Sequence, residues 1–355
     1  MSLPLEPQTI RYPFEDTLPE PGRSMEVAPG IRWVRMPLPL ALDHINLWLA
    51  DDGESWTIVD TGLKNDKIST LWEEVFGTEL ADRPVTRMFV THMHPDHVGQ
   101  AGWLKERWGA ELVMTRADWL TGRMLAGDVH DEPPAFVIDF HREMGLPEEN
   151  VDVLKTQGFG NFAKGCHPIP SQYKRVVEGD DVRLGGSDWK VMIGEGHAPE
   201  HACLYSADLG VLIAGDQVLP RISPIIGVYP GEPDANPLGD YIKSLAKFRT
   251  LPEDTFVLPA HGRPFYGLRE RIDQLVDHHE ERCDILVANG TTPLSVYESL
   301  PLMFRRPLEG QHVFMAMAES LAHFNRLIVQ GRMTCEKDAN GINRYSTVEQ
   351  STAAA

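Results

Sequence analysis

The chain has 355 residues, 42% hydrophobic and 24% charged, with a formal net charge of −19. That is the balance of a soluble globular protein, long enough for a full core and a second small domain. Its longest apolar runs, such as Val211–Ala214 between two glycines, are too short to cross a bilayer, and its acidity repels phosphate backbones, so membranes and nucleic acids are disfavoured partners.

Ile31–Met36, Ile45–Ala50 and Trp56–Val59 are apolar or alternating, are parted by turn residues such as Asp51-Asp52-Gly53, and read as strands. The third ends in Val59-Asp60-Thr61-Gly62. Lys67–Phe76 has helical spacing, Arg87–Val90 reads as a strand, Val98–Trp108 as a helix and Leu112–Met114 as a strand. In the second half Trp189–Ile193, Ala202–Ser206, Val211–Ala214 and Phe256–Leu258 read as strands, with a helix over Leu238–Phe248. This alternation predicts an α/β protein of two stacked sheets with helices outside.

Between about Asp118 and Asp181 the pattern turns irregular apart from a helical Asp139–Met144, and is read as an insertion covering the site; a plain surface excursion is the blander reading. A long helix follows over Leu268–Ala288. Short and longer helices are then expected at Leu294–Leu300 and Gln311–Gln330, with a hairpin from Gly331–Glu336 to Ile342–Tyr345, a winged-helix order. The expected domains are 1–267 (insertion about 118–181) and 268–348, with 349–355 as a tail, frayed at Ser351–Ala355. Met1–Phe14 shows no secretory leader, and Cys166, Cys203, Cys283 and Cys335 form no CxxC pair, so a cytoplasmic location is expected.

Thr91-His92-Met93-His94-Pro95-Asp96-His97 carries the most information, since it follows a strand, precedes a helix, and gathers three imidazoles and a carboxylate within one turn. Such a set suits zinc, iron or manganese. His92 and His94 can face one metal from an extended loop, and Asp96 and His97 a second from the helix start. Further ligands should lie at other strand ends, and Gly196-His197, Gly215-Asp216 and His261-Gly262 each stand just beyond an apolar strand beside a glycine.

In these motifs, over roughly Ile31 to His261, the sequence resembles the metallo-β-lactamase superfamily. The resemblance implies an αββα sandwich holding two divalent ions, zinc first, with iron or manganese as alternatives. It implies His92, His94 and His197 on one metal, Asp96, His97 and His261 on the other, Asp216 bridging both, and Asp60 orienting a ligand from behind. Two divalent ions against two aspartates and one hydroxide leave a net positive pocket, able to polarise a carbonyl or phosphoryl oxygen and to supply hydroxide for attack. Asp96 and Asp216 therefore count as catalytic candidates as well as ligands.

Within the superfamily, β-lactamases of the commonest zinc class carry a cysteine where Asp216 stands, and Cys203 is on another strand. Quorum-signal lactonases usually have a tyrosine at the position of Leu219. Gly196-His197-Ala198-Pro199-Glu200-His201 is similar to the GHxxxH stretch of glyoxalase II-like thioester hydrolases, which makes His201 a third catalytic candidate, one that touches substrate or else braces the loop. Ala260-His261-Gly262-Arg263-Pro264 departs from their glutathione signature. The overall resemblance is to lactamase-beta-like proteins with a C-terminal winged helix.

The expected activity is attack on a small ester or thioester carbonyl, with an RNA endonuclease or lactonase as alternatives. From Gly290 to Tyr345 six basic residues (Arg305, Arg306, Arg326, Arg332, Lys337, Arg344) face five acidic ones (Glu298, Glu309, Glu319, Glu336, Asp338), a poor nucleic-acid surface. The apolar face of Gln311–Gln330 is read as packing on the catalytic domain or on a second subunit of a homodimer. Tyr173, Arg221 and Tyr229, in the insertion and the Leu219–Pro230 loop, are substrate-contact candidates that could equally be packing or surface residues.

Overall fold

In the computed structural model of the protein, the described residues are 10–39, 42–156, 158–305 and 307–349. Most of the stretch read for a leader, Arg306, and the tail Ser351–Ala355 lie outside them.

The chain opens with β1 (Ser24–Ala28), β2 (Ile31–Pro37), β3 (His44–Asp51) and β4 (Trp56–Val59), then α1 (Asp66–Glu79) and β5 (Val85–Phe89). The short α2 (Pro95–Val98), α3 (Ala101–Trp108), β6 (Glu111–Met114) and α4 (Arg116–Gly127) follow. Next come α5 (Ala135–Glu143), α6 (Glu148–Thr156), α7 (Asn161–Lys164), β7 (Lys174–Arg175), β8 (Asp181–Leu184) and β9 (Ser187–Gly194). Beyond these are β10 (His201–Ser206), β11 (Val211–Gly215), α8 (Pro237–Phe248), β12 (Phe256–Pro259) and α9 (Leu268–Asn289). The chain closes with α10 (Val296–Met303), α11 (Gln311–Val329), β13 (Met333–Lys337) and β14 (Asn343–Thr347).

Two compact units result, one of Met1–Val129, Gly160–Pro224 and Ser244–Ile272, the other of His130–Phe159, Ile225–Lys243 and Asp273–Ala355. The first holds a seven-stranded sheet in the order β1 to β7 and a five-stranded sheet ordered β12-β11-β10-β9-β8. Strand periodicity explains their packing, because alternate side chains point to opposite faces. From β2 and β3, Ile31, Trp33, Trp48 and Ala50 meet Trp189, Val191, Leu204 and Ile213 of the other sheet. Val34, Met36, Ile45, Leu47 and Leu49 face Ile68, Leu71, Trp72 and Val75 of α1 and Leu104 of α3. With both faces buried, these strands read as nearly unbroken apolar runs. Each fully buried large apolar side chain contributes about 1.5–3 kcal/mol of transfer free energy.

Parallel pairing sets the site. β4 and β5 pair with Val59 opposite Phe89, and β11 and β12 with Gly215 opposite Pro259. The residues just past those carboxyl ends are therefore neighbours, as at the crevice of open α/β sheets.

Two expectations are corrected here. The helix Val98–Trp108 is broken, because the Gln100 N–H donates to Gly62 O at 2.9 Å instead of continuing the helical ladder. The segment 118–181 is less irregular than expected, carrying α5, α6, α7 and most of α4, and α5 and α6 belong to the second unit. Gly122 and Gly127 within α4, and the prolines and glycines between the helices, hide them in the sequence.

In the second unit α10, α11 and the antiparallel hairpin β13–β14 follow in the expected order. A capping box of Ser295 and Glu298 starts α10. Phe324 of α11 stacks on Tyr345 of β14 at 4.1 Å. No helix among the described residues is long and apolar enough to cross a membrane, and all four cysteines are free thiols.

Candidate metal centre

The loop after β5 delivers His92 and His94, and α2, with Pro95 at its first position, presents Asp96 and His97. His197 lies beyond β9, Asp216 directly after β11, and His261 two residues past β12. All seven converge within the first unit. His92 Nε2 is 2.9 Å from His94 Nδ1, which is 3.0 Å from His197 Nε2, and the triangle closes at 3.2 Å. Two imidazole nitrogens on one tetrahedral zinc, each at ~2.05 Å, would be about 3.3 Å apart, so three nitrogens drawn this close match one metal site.

A second cluster adjoins it. His261 Nε2 is 3.4 Å from Asp96 Oδ2 and 3.4 Å from Asp216 Oδ1, and His97 Nε2 is 3.6 Å from that same Oδ1. The other Asp216 oxygen, Oδ2, is 3.3 Å from His197 Nε2 of the first cluster. The carboxylate thus divides its two oxygens between two nitrogen groups. His97 Nε2 and Asp216 Oδ1 are buried yet have no hydrogen-bond partner. Orphaned buried polar atoms are rare, and here both aim at the space a cation would fill. The donor set, imidazole and carboxylate only, suits divalent zinc, iron or manganese.

Electrostatics separates the clusters. Burial drives His92 well below its usual value and His94 to about 3, leaving neutral rings with free lone pairs. Burial also acts on His97 and His261, but the carboxylates overrule it. Asp60 and Asp96 hold His97 well above the usual imidazole range, and Asp216 and Asp96 raise His261 to about 10. For Asp96, burial alone would push the carboxyl up; His97 and His261 hold it at about 2. Protons on these rings balance charge that a divalent ion would otherwise balance.

The rings are aimed from behind. His97 Nδ1 donates to Asp60 Oδ2 at 2.8 Å, and His261 Nδ1 donates to the His44 carbonyl at 2.8 Å. Asp60 also accepts from the Thr91 N–H at 2.7 Å and adopts a left-handed φ of 59°. Such backbone is tolerated by aspartate and held only where surroundings over-determine it. His92 Nδ1 meets Thr91 Oγ1 at 3.0 Å.

Of the two roles left open for His201, substrate contact or brace, its contacts in the structure are those of a brace. It is fully buried, its Nε2 accepts from the Asp216 N–H at 3.0 Å, and its Nδ1 faces Cys203 Sγ at 3.5 Å. Gly215 makes room for it, since a Cβ there would sit 2.5 Å from the His201 ring. Tyr173 stacks on Trp119 at 4.3 Å and packs against the core of the seven-stranded sheet. Arg221 lines a cavity with His44 and Gly262, whereas Tyr229 is in the second unit and 50% exposed.

Sequence reasoning missed Asp118. Wholly buried on α4, it accepts from the Met93 N–H at 2.9 Å and the Glu200 N–H at 2.7 Å, tying the loop of His92 and His94 to the loop of His197. Burial raises its carboxyl to about 6 against those hydrogen bonds.

Comparison with known proteins agrees with this geometry. Residues 40–261 match the metallo-beta-lactamase superfamily, and residues 283–348 match the metallo-beta-lactamase-like C-terminal domain. A beta-lactamase domain protein from Burkholderia ambifaria is 42% identical, with a TM-score of 0.89 over 96% of this chain and 98% of its own. A metallo-beta-lactamase family protein from Thermus thermophilus is 27% identical, with a TM-score of 0.75 over 90% of this chain and 99% of its own. The hydroxyacylglutathione hydrolase GloC of Haemophilus influenzae is 24% identical over 60% of this chain and 82% of its own length. With two nitrogen clusters at the strand ends and a family match over most of the first unit, the chain belongs to the metallo-beta-lactamase superfamily of hydrolases.

Proposed function

We propose that this protein is a dinuclear, zinc-dependent hydrolase of a small ester or thioester. One observation carries the reading: Asp216 turns one carboxylate oxygen toward the His92–His94–His197 group and the other toward His97 and His261. That is what a carboxylate shared by two metals requires. His92, His94 and His197 would hold one ion, and Asp96, His97 and His261 the other. Bound there, two divalent ions supply hydroxide near neutral pH and polarise the carbonyl under attack.

The chain's own residues keep the ligands in register. Asp60 and the His44 carbonyl take the outward Nδ1 protons of His97 and His261, so each Nε2 points inward, where it would offer its lone pair to a bound ion. Asp118 fixes the spacing of the two loops, and His201 fixes the Asp216 backbone.

Similarity to GloC and the Gly196-to-His201 stretch support the thioester class. Aspartate at 216 and leucine at 219 count against β-lactams and homoserine lactones. The net charge of −19 supports a small molecule over nucleic acid as substrate.

The test is metal analysis of the purified protein together with turnover of acyl-CoA, other thioesters, esters and lactones. Two zinc ions per chain and thioester turnover abolished by chelation are expected. Absence of metal-dependent turnover across that panel would sink the reading.

A further inference from the structure

In the first unit a cavity of about 430 Å³ is lined by Tyr12, Leu18, Arg35, His44, Arg221, Gly262 and Arg263. Three of the seven are arginines and none is acidic, in a chain whose acidic residues outnumber its lysines and arginines 52 to 33. The cavity borders the candidate metal centre. Its His44 accepts from the Gly262 N–H through Nε2 at 2.9 Å, and its carbonyl holds His261 Nδ1 at 2.8 Å. Two of the arginines follow ligand motifs, Arg263 two residues after His261 and Arg221 five after Asp216.

Two of these guanidinium groups, on Arg35 and Arg263, are weakly neutralised. The carboxylate paired with Arg35, on Asp43, lies at 3.6 Å, beyond hydrogen-bond length, and its side chain is 76% exposed. Arg35 Nε is buried with no partner. Arg263 bonds Asp16 at 2.7 Å, but the Asp16 side chain is 94% exposed, and such surface pairs are worth little. Guanidinium forks match the two oxygens of a carboxylate or phosphate, and the cavity has room for one.

We infer that this cavity binds an oxyanion, a carboxylate or phosphate group, carried by the substrate at a remove from its reacting carbonyl. The inference deepens the hydrolase reading and rests on it for the word substrate. A protein this acidic repels anionic molecules at long range, and a cationic cavity beside a net positive metal centre reverses that field locally. The arginines would anchor the charged end and so orient the carbonyl toward the metals.

Two arms test it. The first compares kcat/KM for a glutaryl thioester and for its methyl ester, which differ by one negative charge, in the wild type, in Arg221→Gln/Arg263→Gln and in Arg221→Lys/Arg263→Lys. The wild type should prefer the acid. In the glutamine variant that preference should fall by about tenfold or more, the scale of a lost charge-assisted hydrogen bond, and the lysine variant should recover part of it. Both side chains reach solvent, so the fold should survive, and an unchanged melting temperature checks this.

The second arm needs no turnover. Glutarate and inorganic phosphate are titrated calorimetrically into chelator-treated protein. Wild type should bind at least one of them, more weakly as salt rises, and the glutamine variant should not. If acid and ester are hydrolysed alike and neither anion binds, the cavity inference is overturned while the hydrolase reading stands. If no thioester is turned over but an anion binds through the arginines, the hydrolase reading falls and the oxyanion site survives.

Discussion

The His201 ring accepts the backbone N–H of Asp216 at 3.0 Å, so the residue whose carboxylate faces both nitrogen clusters is held through its backbone by a fully buried histidine. His201→Phe removes the acceptor and leaves that N–H buried and unpaired, which costs roughly 1–3 kcal/mol. A lower melting temperature and reduced metal content are expected, with kcat falling more than KM changes. His201→Gln restores an acceptor and should recover part of the metal content. A variant with wild-type metal stoichiometry and kcat would show that the brace is dispensable.

Asp216→Asn keeps the shape of the side chain and removes its charge. The amide cannot serve both clusters as an anion, so mass spectrometry of metal content should find at most one ion per chain. The loss of kcat should exceed the roughly 10–100-fold typical of residues that merely support ligands. Chelation of the wild type should lower its melting temperature, because a metal that binds only the folded state stabilises it by mass action. The variant should show a smaller drop. Equal drops would contradict a bridging carboxylate.

How much of this could be read from the sequence depends on how local each feature is. His92, His94, Asp96 and His97 lie within one turn, and His197, Asp216 and His261 follow apolar strands at glycines, so periodicity and spacing reveal them. Asp118 looks like any acidic residue in the first turn of a helix, where the helix dipole favours it. Its two backbone partners, at 93 and 200, come near only through tertiary folding. The direction of His201 was equally hidden, because at the start of β10 the sequence does not say which face its ring takes. The edge strand β1, only half-buried, has no apolar alternation to betray it.

Asp118→Asn tests the missed residue. A carboxylate can accept from both the Met93 and Glu200 N–H groups, whereas an amide offers one oxygen and turns its own N–H donors on the other. One buried N–H is left unpaired, a loss of about 1–3 kcal/mol. Because the affected loops carry His92, His94 and His197, activity should fall by roughly 10–100-fold, the range for groups that orient ligands. Activity and melting temperature matching the wild type would remove Asp118 from the site's support.

In the second unit His279 and His323 make a buried pair that should set acid sensitivity. His323 Nδ1 donates to the Glu319 carbonyl at 2.8 Å, so its Nε2 accepts from His279 Nδ1 at 3.2 Å, and both rings must stay neutral to keep this order. Burial pushes His323 down to about 3, and burial with the neighbouring His323 pushes His279 well below its usual value. A histidine with a depressed folded value takes up its proton only when unfolded across the window between the two values. Its contribution is therefore fully present above about pH 6.5 and is lost as pH falls toward 3. Between pH 6.5 and 5, His323 alone should withdraw about 2 kcal/mol at 1.36 kcal/mol per pH unit. Loss of bound metal in acid would also destabilise the chain, so the comparison is made in chelated protein. The double variant His279→Leu/His323→Phe should flatten the fall in melting temperature between pH 6.5 and 5. An equally steep fall would place the acid sensitivity elsewhere.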